Sequence, residues 1–251
     1  MIRALFLFCL LALPAQAEEV VAGLSQNRVS ITTNFDGSEI LVFGAVKREA
    51  PIPRDAPLEI IITIAGPSVP VTVRRKDRRF GIWVNTDALH VDRAPAFYAV
   101  ATSGVWNSVL KFEEDFRHRI SIERAIRADG APGSTEAKGD FTDALIRIRK
   151  SEGLYQTLIG AVNLSEETLF RTSVALPANL TEGSYETRIF ITRRGTVLDV
   201  YETTINVQKV GLERFLFNLA HDRPLVYGIM SLFIAIAAGW AASAVFRYLR
   251  T

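Results

Sequence analysis

His90, His118 and His221 are the chain's three histidines, and no two stand three or four residues apart, the spacing that puts two metal ligands on one helix face. They read as unrelated loop or surface side chains. The single cysteine, Cys9, and the two methionines, Met1 and Met230, fall in or beside apolar terminal runs. No thiolate or thioether ligand is therefore expected in the segment between those runs. Glu113, Glu114 and Asp115 are adjacent acids. Consecutive helix residues diverge by about 100° around the axis, so the three read as a solvated helix face rather than a paired-carboxylate site. No nucleophile elbow, Walker loop or dinucleotide glycine fingerprint is present. The expectation is no catalytic residue, no metal and no cofactor.

The densest charge is Arg74, Arg75, Lys76, Asp77, Arg78 and Arg79. Four arginines and a lysine against one aspartate could hold an anion or meet lipid headgroups. A solvated hairpin tip that discourages edge aggregation accounts for them equally well. Net charge over the whole chain is only +2, which gives no reason to expect nucleic acid.

The elements that must carry these residues lie between two apolar ends. Arg3 precedes a short apolar run, Leu5 to Leu13, that ends in Pro14-Ala15-Gln16-Ala17. These are the parts of a secretory signal over 1–17, with cleavage expected after Ala17. The second run, 224–246, is uncharged and bounded by Asp222 and Arg223 before and Arg247 and Arg250 after. As a helix it would reach about 34 Å, enough to cross a hydrocarbon core. Lys and Arg are balanced on its two sides, so the expected orientation rests on the signal peptide: domain outside, tail 247–251 inside. Ala235, Gly239 and Ser243 fall four apart, a small-residue edge that would let another membrane helix approach closely. Leu212, Phe215, Leu216 and Leu219 form an apolar stripe just before the span, consistent with an amphipathic juxtamembrane helix over 211–223.

Between the ends, short β-rich runs alternate with turns. Val29 to Thr32 and Ile40 to Phe43 flank Asp36-Gly37, a hairpin signal, and Leu58 to Ala65 is a continuous apolar run stopped by Gly66-Pro67. Val69 to Val73, Phe80 to Val84 and Ala96 to Ala101 follow without helix-length spacers, which favours antiparallel pairing. The period then changes. Val105, Val109, Phe112, Phe116 and Ile120 recur at helical spacing, Asp129 to Gly139 reads as a loop, and Phe141, Ala144, Leu145 and Ile148 mark a second amphipathic helix. Strands resume over Leu169 to Val174, Tyr185 to Thr192 and Val197 to Val207, with Tyr185, Thr187, Ile189 and Ile191 on one face and Glu186 and Arg188 on the other. The expected architecture is a mainly β, Ig-like antiparallel β-sandwich over 18–210, with a helical insertion at about 104–150 and one C-terminal transmembrane helix. Two small β domains are the alternative.

Arg28 to Val46 (RVSITTNFDGSEILVFGAV), Gly66 to Thr86 (GPSVPVTVRRKDRRFGIWVNT), Ala94 to Ser103 (APAFYAVATS) and the segment from Arg214 to Trp240 resemble the alphaproteobacterial transmembrane proteins of the Alph_Pro_TM family. The resemblance runs in order along nearly the whole mature chain. It implies a bacterial single-pass membrane protein, with no catalytic residues to carry over. The functional expectation is a non-enzymatic periplasmic accessory subunit, anchored in the inner membrane beside an integral membrane partner such as a transporter. The rival is an anchored solute-binding protein or enzyme, its site a cleft near the Arg74 to Arg79 run or beside the helical insertion.

Overall fold

The computed structural model describes residues 18–32, 35–48, 56–128 and 135–249. The expected signal peptide, residues 129–134 of the expected loop, and Arg250 and Thr251 lie outside the described residues. The described chain forms two compact units. The first runs to Val29 and over Asp36–Val207, and the second consists of Ser30–Phe35 and the chain from Gln208 onward.

The first unit is mainly β. Strands β1 (Glu19–Leu24), β3 (Ser38–Lys47), β10 (Leu169–Leu176) and β9 (Asn163–Ser165) form one antiparallel sheet in the order β1-β3-β10-β9. The second sheet has the order β2-β12-β11-β4-β7-β8, from β2 (Arg28–Ile31), β12 (Thr196–Lys209), β11 (Gly183–Arg193), β4 (Leu58–Ala65), β7 (Tyr98–Thr102) and β8 (Tyr155–Leu158). Burial alternates along β10, where Phe170, Thr172, Val174 and Leu176 are buried and their neighbours exposed. On β3, Ile40, Val42 and Val46 turn inward in the same way. Each sheet thus presents an apolar face, and the two faces form the core of the sandwich. Gly44 serves this packing directly. A Cβ there would lie 2.5 Å from the Phe170 ring and 2.6 Å from the Val21 carbonyl oxygen, so only glycine lets β1, β3 and β10 close up.

β4 and β7 are buried on both faces, which is why Leu58 to Ala65 reads as a continuous apolar run. Their outer side is covered by the helical segment: α1 (Trp106–Val109), α2 (Phe112–His118), α3 (Ile122–Ala125) and α4 (Thr135–Ser151). The Thr192 hydroxyl donates to the Val109 carbonyl at 2.7 Å, and the Tyr98 hydroxyl donates to that of Ile120 at 2.7 Å. The chain between β7 and β8 carries all four helices, and this long crossover lets β7 and β8 pair in parallel against the antiparallel trend.

Three expectations need correcting. Asp36-Gly37 does not close a hairpin, because β2 lies at the edge of the second sheet beside β12 while β3 pairs with β1 and β10. The stretch 105–120 is not one helix buried through Val105, Phe112 and Phe116. It breaks at Leu110, which is extended, and the break resets the helical phase. Phe112 and Phe116 are consequently 67% and 64% exposed, while Glu114 and Asp115, read as solvated, are 8% and 9% exposed. Residues 135–139, read as loop, are the first turns of α4.

The remaining strands of this unit, β5 (Ser68–Arg79) and β6 (Ile82–Pro95), form a two-stranded ribbon closed by Phe80-Gly81. Both turn residues have positive φ, 50° and 86°, the twist that suits a two-residue hairpin and that glycine adopts freely. An ion cluster missing from the sequence reading ties the start of β1 to β11. Arg48 and Arg193 both reach Glu18 Oε1, at 2.8 and 2.9 Å. These side chains are largely buried, so removing one partner would strand the others' charge.

In the second unit the Val210 N–H donates to the Ile31 carbonyl at 2.8 Å, and two helices follow, α5 (Leu212–Asp222) and α6 (Pro224–Leu249). Proline opens α6 at the first helical position, where its missing N–H costs no helical bond. Pro224–Val245 has mean hydropathy 2.0 and is long enough to cross a membrane. On α5, Leu216 and Leu219 of the expected stripe are half-buried; the side chains of Leu212 and Phe215 lie outside the described ones.

Candidate functional site

A concavity with convergent charge lies in the first unit, beside α2, with a volume of about 930 Å³. Five arginines line it, Arg93, Arg117, Arg119, Arg127 and Arg188, against two glutamates, Glu113 and Glu186. That volume falls within the usual range for small-molecule sites. The charge balance favours an anion.

The wall is set by the end of α2. Arg119 closes the helix in the left-handed region at φ 52°, its N–H donating to the Asp115 carbonyl. The buried Asp115 carboxylate accepts the next two N–H groups, Ile120 at 3.1 Å and Ser121 at 2.7 Å. This fold-back leaves the carbonyls of His118 and Arg119 facing β11, where the Arg188 guanidinium donates to them at 2.8 and 3.2 Å. Arg188 also lies over the Phe190 ring, 5.2 Å from its centroid, so it is a fixed part of the wall. Beneath, Glu114 pairs with Arg117 at 3.5 Å and meets His118 Nε2 at 3.6 Å. Its other approach, from the Val197 N–H at 3.4 Å, fixes α2 on the β11–β12 end of the sheet.

The floor includes Tyr98, whose hydroxyl is pushed up to about 12, first by burial. The opposite side is built by a single antiparallel bridge between Arg93 of β6 and Arg127 after α3, with reciprocal hydrogen bonds of 3.1 and 2.8 Å. At the rim, Phe112 and Phe116 stand one helical turn apart. The Arg124 guanidinium covers both rings, at 5.1 and 5.2 Å from their centroids.

The basic run singled out in the sequence lies elsewhere. Arg74, Arg75 and Lys76 line a second groove of about 620 Å³ between β5 and α4, facing Asp140, Asp143 and Arg147. Arg75 pairs with Asp140 at 3.0 Å and stacks over Phe141, and Arg79 pairs with Asp77 at 3.1 Å. Arg78 donates to the Gly81 carbonyl. The run is therefore strand, and the turn comes one residue later, where Phe80, Ile82 and Trp83 are exposed. A cationic ribbon with an apolar tip replaces the expected cationic tip.

His90 meets Thr72 across that ribbon, His118 ends α2, and the His221 ring stacks on Phe217 at 4.0 Å, so the three histidines occupy three separate elements. Ala235, Gly239 and Ser243 lie along one side of α6, all exposed, and a Cβ at Gly239 would meet nothing within 4 Å. The groove's arginines were not assembled by sequence reading because they come from four separate segments. One signal was available: strand alternation put Glu186 and Arg188 on the face opposite the sandwich core.

A mainly β unit and one C-terminal apolar helix of spanning length define the class: a membrane protein with one candidate span. The chain belongs to the transmembrane-protein family Alph_Pro_TM, whose model matches residues 19–248. No curated protein matches it.

Proposed function

We propose that this protein is a non-enzymatic accessory subunit, held in the bacterial inner membrane by α6, with the β domain over 18–210 in the periplasm and the C-terminus in the cytoplasm. In this reading residues 1–17 are a cleaved signal peptide, 211–223 lie at the interface, and the functional neighbour is an integral membrane protein of transporter type. The observation that carries it is the bare surface of α6, uncharged from Pro224 to Val245, with the small side chains of Ala235, Gly239 and Ser243 on one edge. Close helix approach at small residues supplies packing contacts that lipid chains cannot match. Co-purification in mild detergent is expected to recover a stoichiometric membrane partner, and Gly239→Leu to reduce that recovery several-fold. Purification of the protein alone, unchanged by the substitution, would count against the reading.

The β5–β6 ribbon has its own role in this proposal, contact with an anionic membrane surface. Arg74, Lys76 and Arg78 offer cationic groups behind an exposed Phe80, Ile82 and Trp83, the pairing of charge and aromatic rings favoured at headgroup depth. With Trp106 and Trp240 replaced by Phe, the remaining Trp83 fluorescence should be quenched by brominated lipid in nanodiscs that contain anionic headgroups. Quenching that is absent, or independent of Arg74, Lys76 and Arg78, removes the ribbon from the membrane.

A second reading, an exported solute-binding domain, is favoured by one observation: the arginine-lined groove beside α2.

A further inference from the structure

Arg93 and Arg127 face each other across an antiparallel bridge whose two reciprocal hydrogen bonds, 3.1 and 2.8 Å, fix them as a directly opposed pair. Opposed residues project to the same side of the ladder with Cβ atoms roughly 5 Å apart, and like charges in that position destabilise it. Both side chains line the groove, and no hydrogen bond or ion pair of either guanidinium is found among the described residues. Nearby charges have other engagements. Arg188 is spent on the carbonyls of His118 and Arg119, and Arg117 on Glu114. Glu113 and Glu186 line the groove without ion-pairing either member of the bridge. Two guanidinium groups carried side by side on one bridge and opening on one groove are the donor half of an anion clamp.

The number of forks selects the anion. One guanidinium already satisfies a carboxylate through two parallel bonds, whereas a phosphate group offers three acceptor oxygens and more charge. We propose that Arg93 and Arg127 clamp a phosphate-bearing small molecule or headgroup in the groove beside α2, with Arg119 as a further cation and Phe112 and Phe116 flanking any organic part. This rests on the solute-binding reading and names its ligand class; it does not depend on a partner for α6.

The test uses the full chain in phosphatidylcholine nanodiscs at low salt, titrated calorimetrically with inorganic pyrophosphate. Wild type is expected to bind, and Arg93→Gln or Arg127→Gln each to weaken binding by about ten-fold or more, as expected for loss of a charged hydrogen-bonding partner. Arg127→Lys keeps the charge but loses the fork, and should fall between. Without pyrophosphate the two glutamine variants should melt no lower than wild type, because a repulsion has been removed. A lower melting temperature would assign the pair to structure and overturn the proposal, as would unaltered binding by the variants. Citrate distinguishes a phosphate site from a general solute site: a response to citrate but not to pyrophosphate sinks the phosphate assignment and keeps a solute site. No response to either sinks both. If phosphatidylglycerol in the disc competes with pyrophosphate in wild type alone, the phosphate is a lipid headgroup's; absence of competition makes it a free compound's.

Discussion

Between pH 10 and 12 the β domain is expected to lose its fold as three buried tyrosines ionise. Tyr98, Tyr155 and Tyr185 are each pushed up to about 12, and burial is the first cause in every case. Each hydroxyl donates to a backbone carbonyl: Tyr98 to Ile120 at 2.7 Å, Tyr155 to Pro95 at 2.8 Å, and Tyr185 to Thr181 at 2.7 Å. A phenolate can keep none of these bonds as donor. In the unfolded chain the same groups release their protons near pH 10. From there upward the native state binds more protons than the unfolded one, so stability falls as pH rises and is fully lost from this source above the native value. Two pKa units on a fully buried tyrosine correspond to about 2–3 kcal/mol. Tyr98 and Tyr155, whose hydroxyl bonds are buried, carry most of this effect, and the part-exposed Tyr185 hydroxyl carries less, so together they remove a large fraction of a typical domain's stability. Tyrosinate absorbance should therefore rise in step with loss of near-ultraviolet circular dichroism. Ionisation of all three near pH 10 with the dichroism intact would show that their hydroxyls are not buried as described.

Asp115→Ala is the substitution expected to cost most at the groove. The carboxylate is buried and accepts the N–H groups of Ile120 and Ser121, which have no other partner among the described residues once the α2 helix has ended at Arg119. Leaving two buried donors unsatisfied should destabilise the protein by about 2–4 kcal/mol. Asp115→Asn keeps one acceptor oxygen and should cost about 1 kcal/mol. The same fold-back aims the His118 and Arg119 carbonyls at Arg188, so Asp115→Ala should also abolish the pyrophosphate response at temperatures where the variant remains folded. Urea unfolding with an unchanged m-value measures the first effect. A loss below about 0.5 kcal/mol, the range of ordinary surface substitutions, would mean that this turn does not depend on its carboxylate.

Strands buried on one face were readable from two-residue alternation, and β11 shows why: Tyr185, Thr187 and Ile189 turn inward while Glu186 stays exposed. The membrane helix was readable because an uncharged run of that length has one economical environment, lipid. The helical stretch was misread at a single point. A periodic pattern assumes an unbroken helix, and the extended Leu110 shifts every later residue to a new face. From there Phe112 and Phe116 turn outward and Glu114 and Asp115 inward, since capping bonds and an ion pair offset the burial of the acids. The same limit hid the groove. Arg93 and Arg127 meet through one bridge between distant segments, and neither residue has neighbours in sequence that mark it.

Local sequence patterns were enough for the class: a mainly β unit, a helical segment within it, and an apolar helix long enough to span a membrane. Those properties are local, set by periodicity and by the hydrophobicity of contiguous runs. Which charges converge and which acids go inside emerged only from the packed fold. Convergence depends on strand order and on the phase of short helices, and both are settled by packing between residues far apart in the chain.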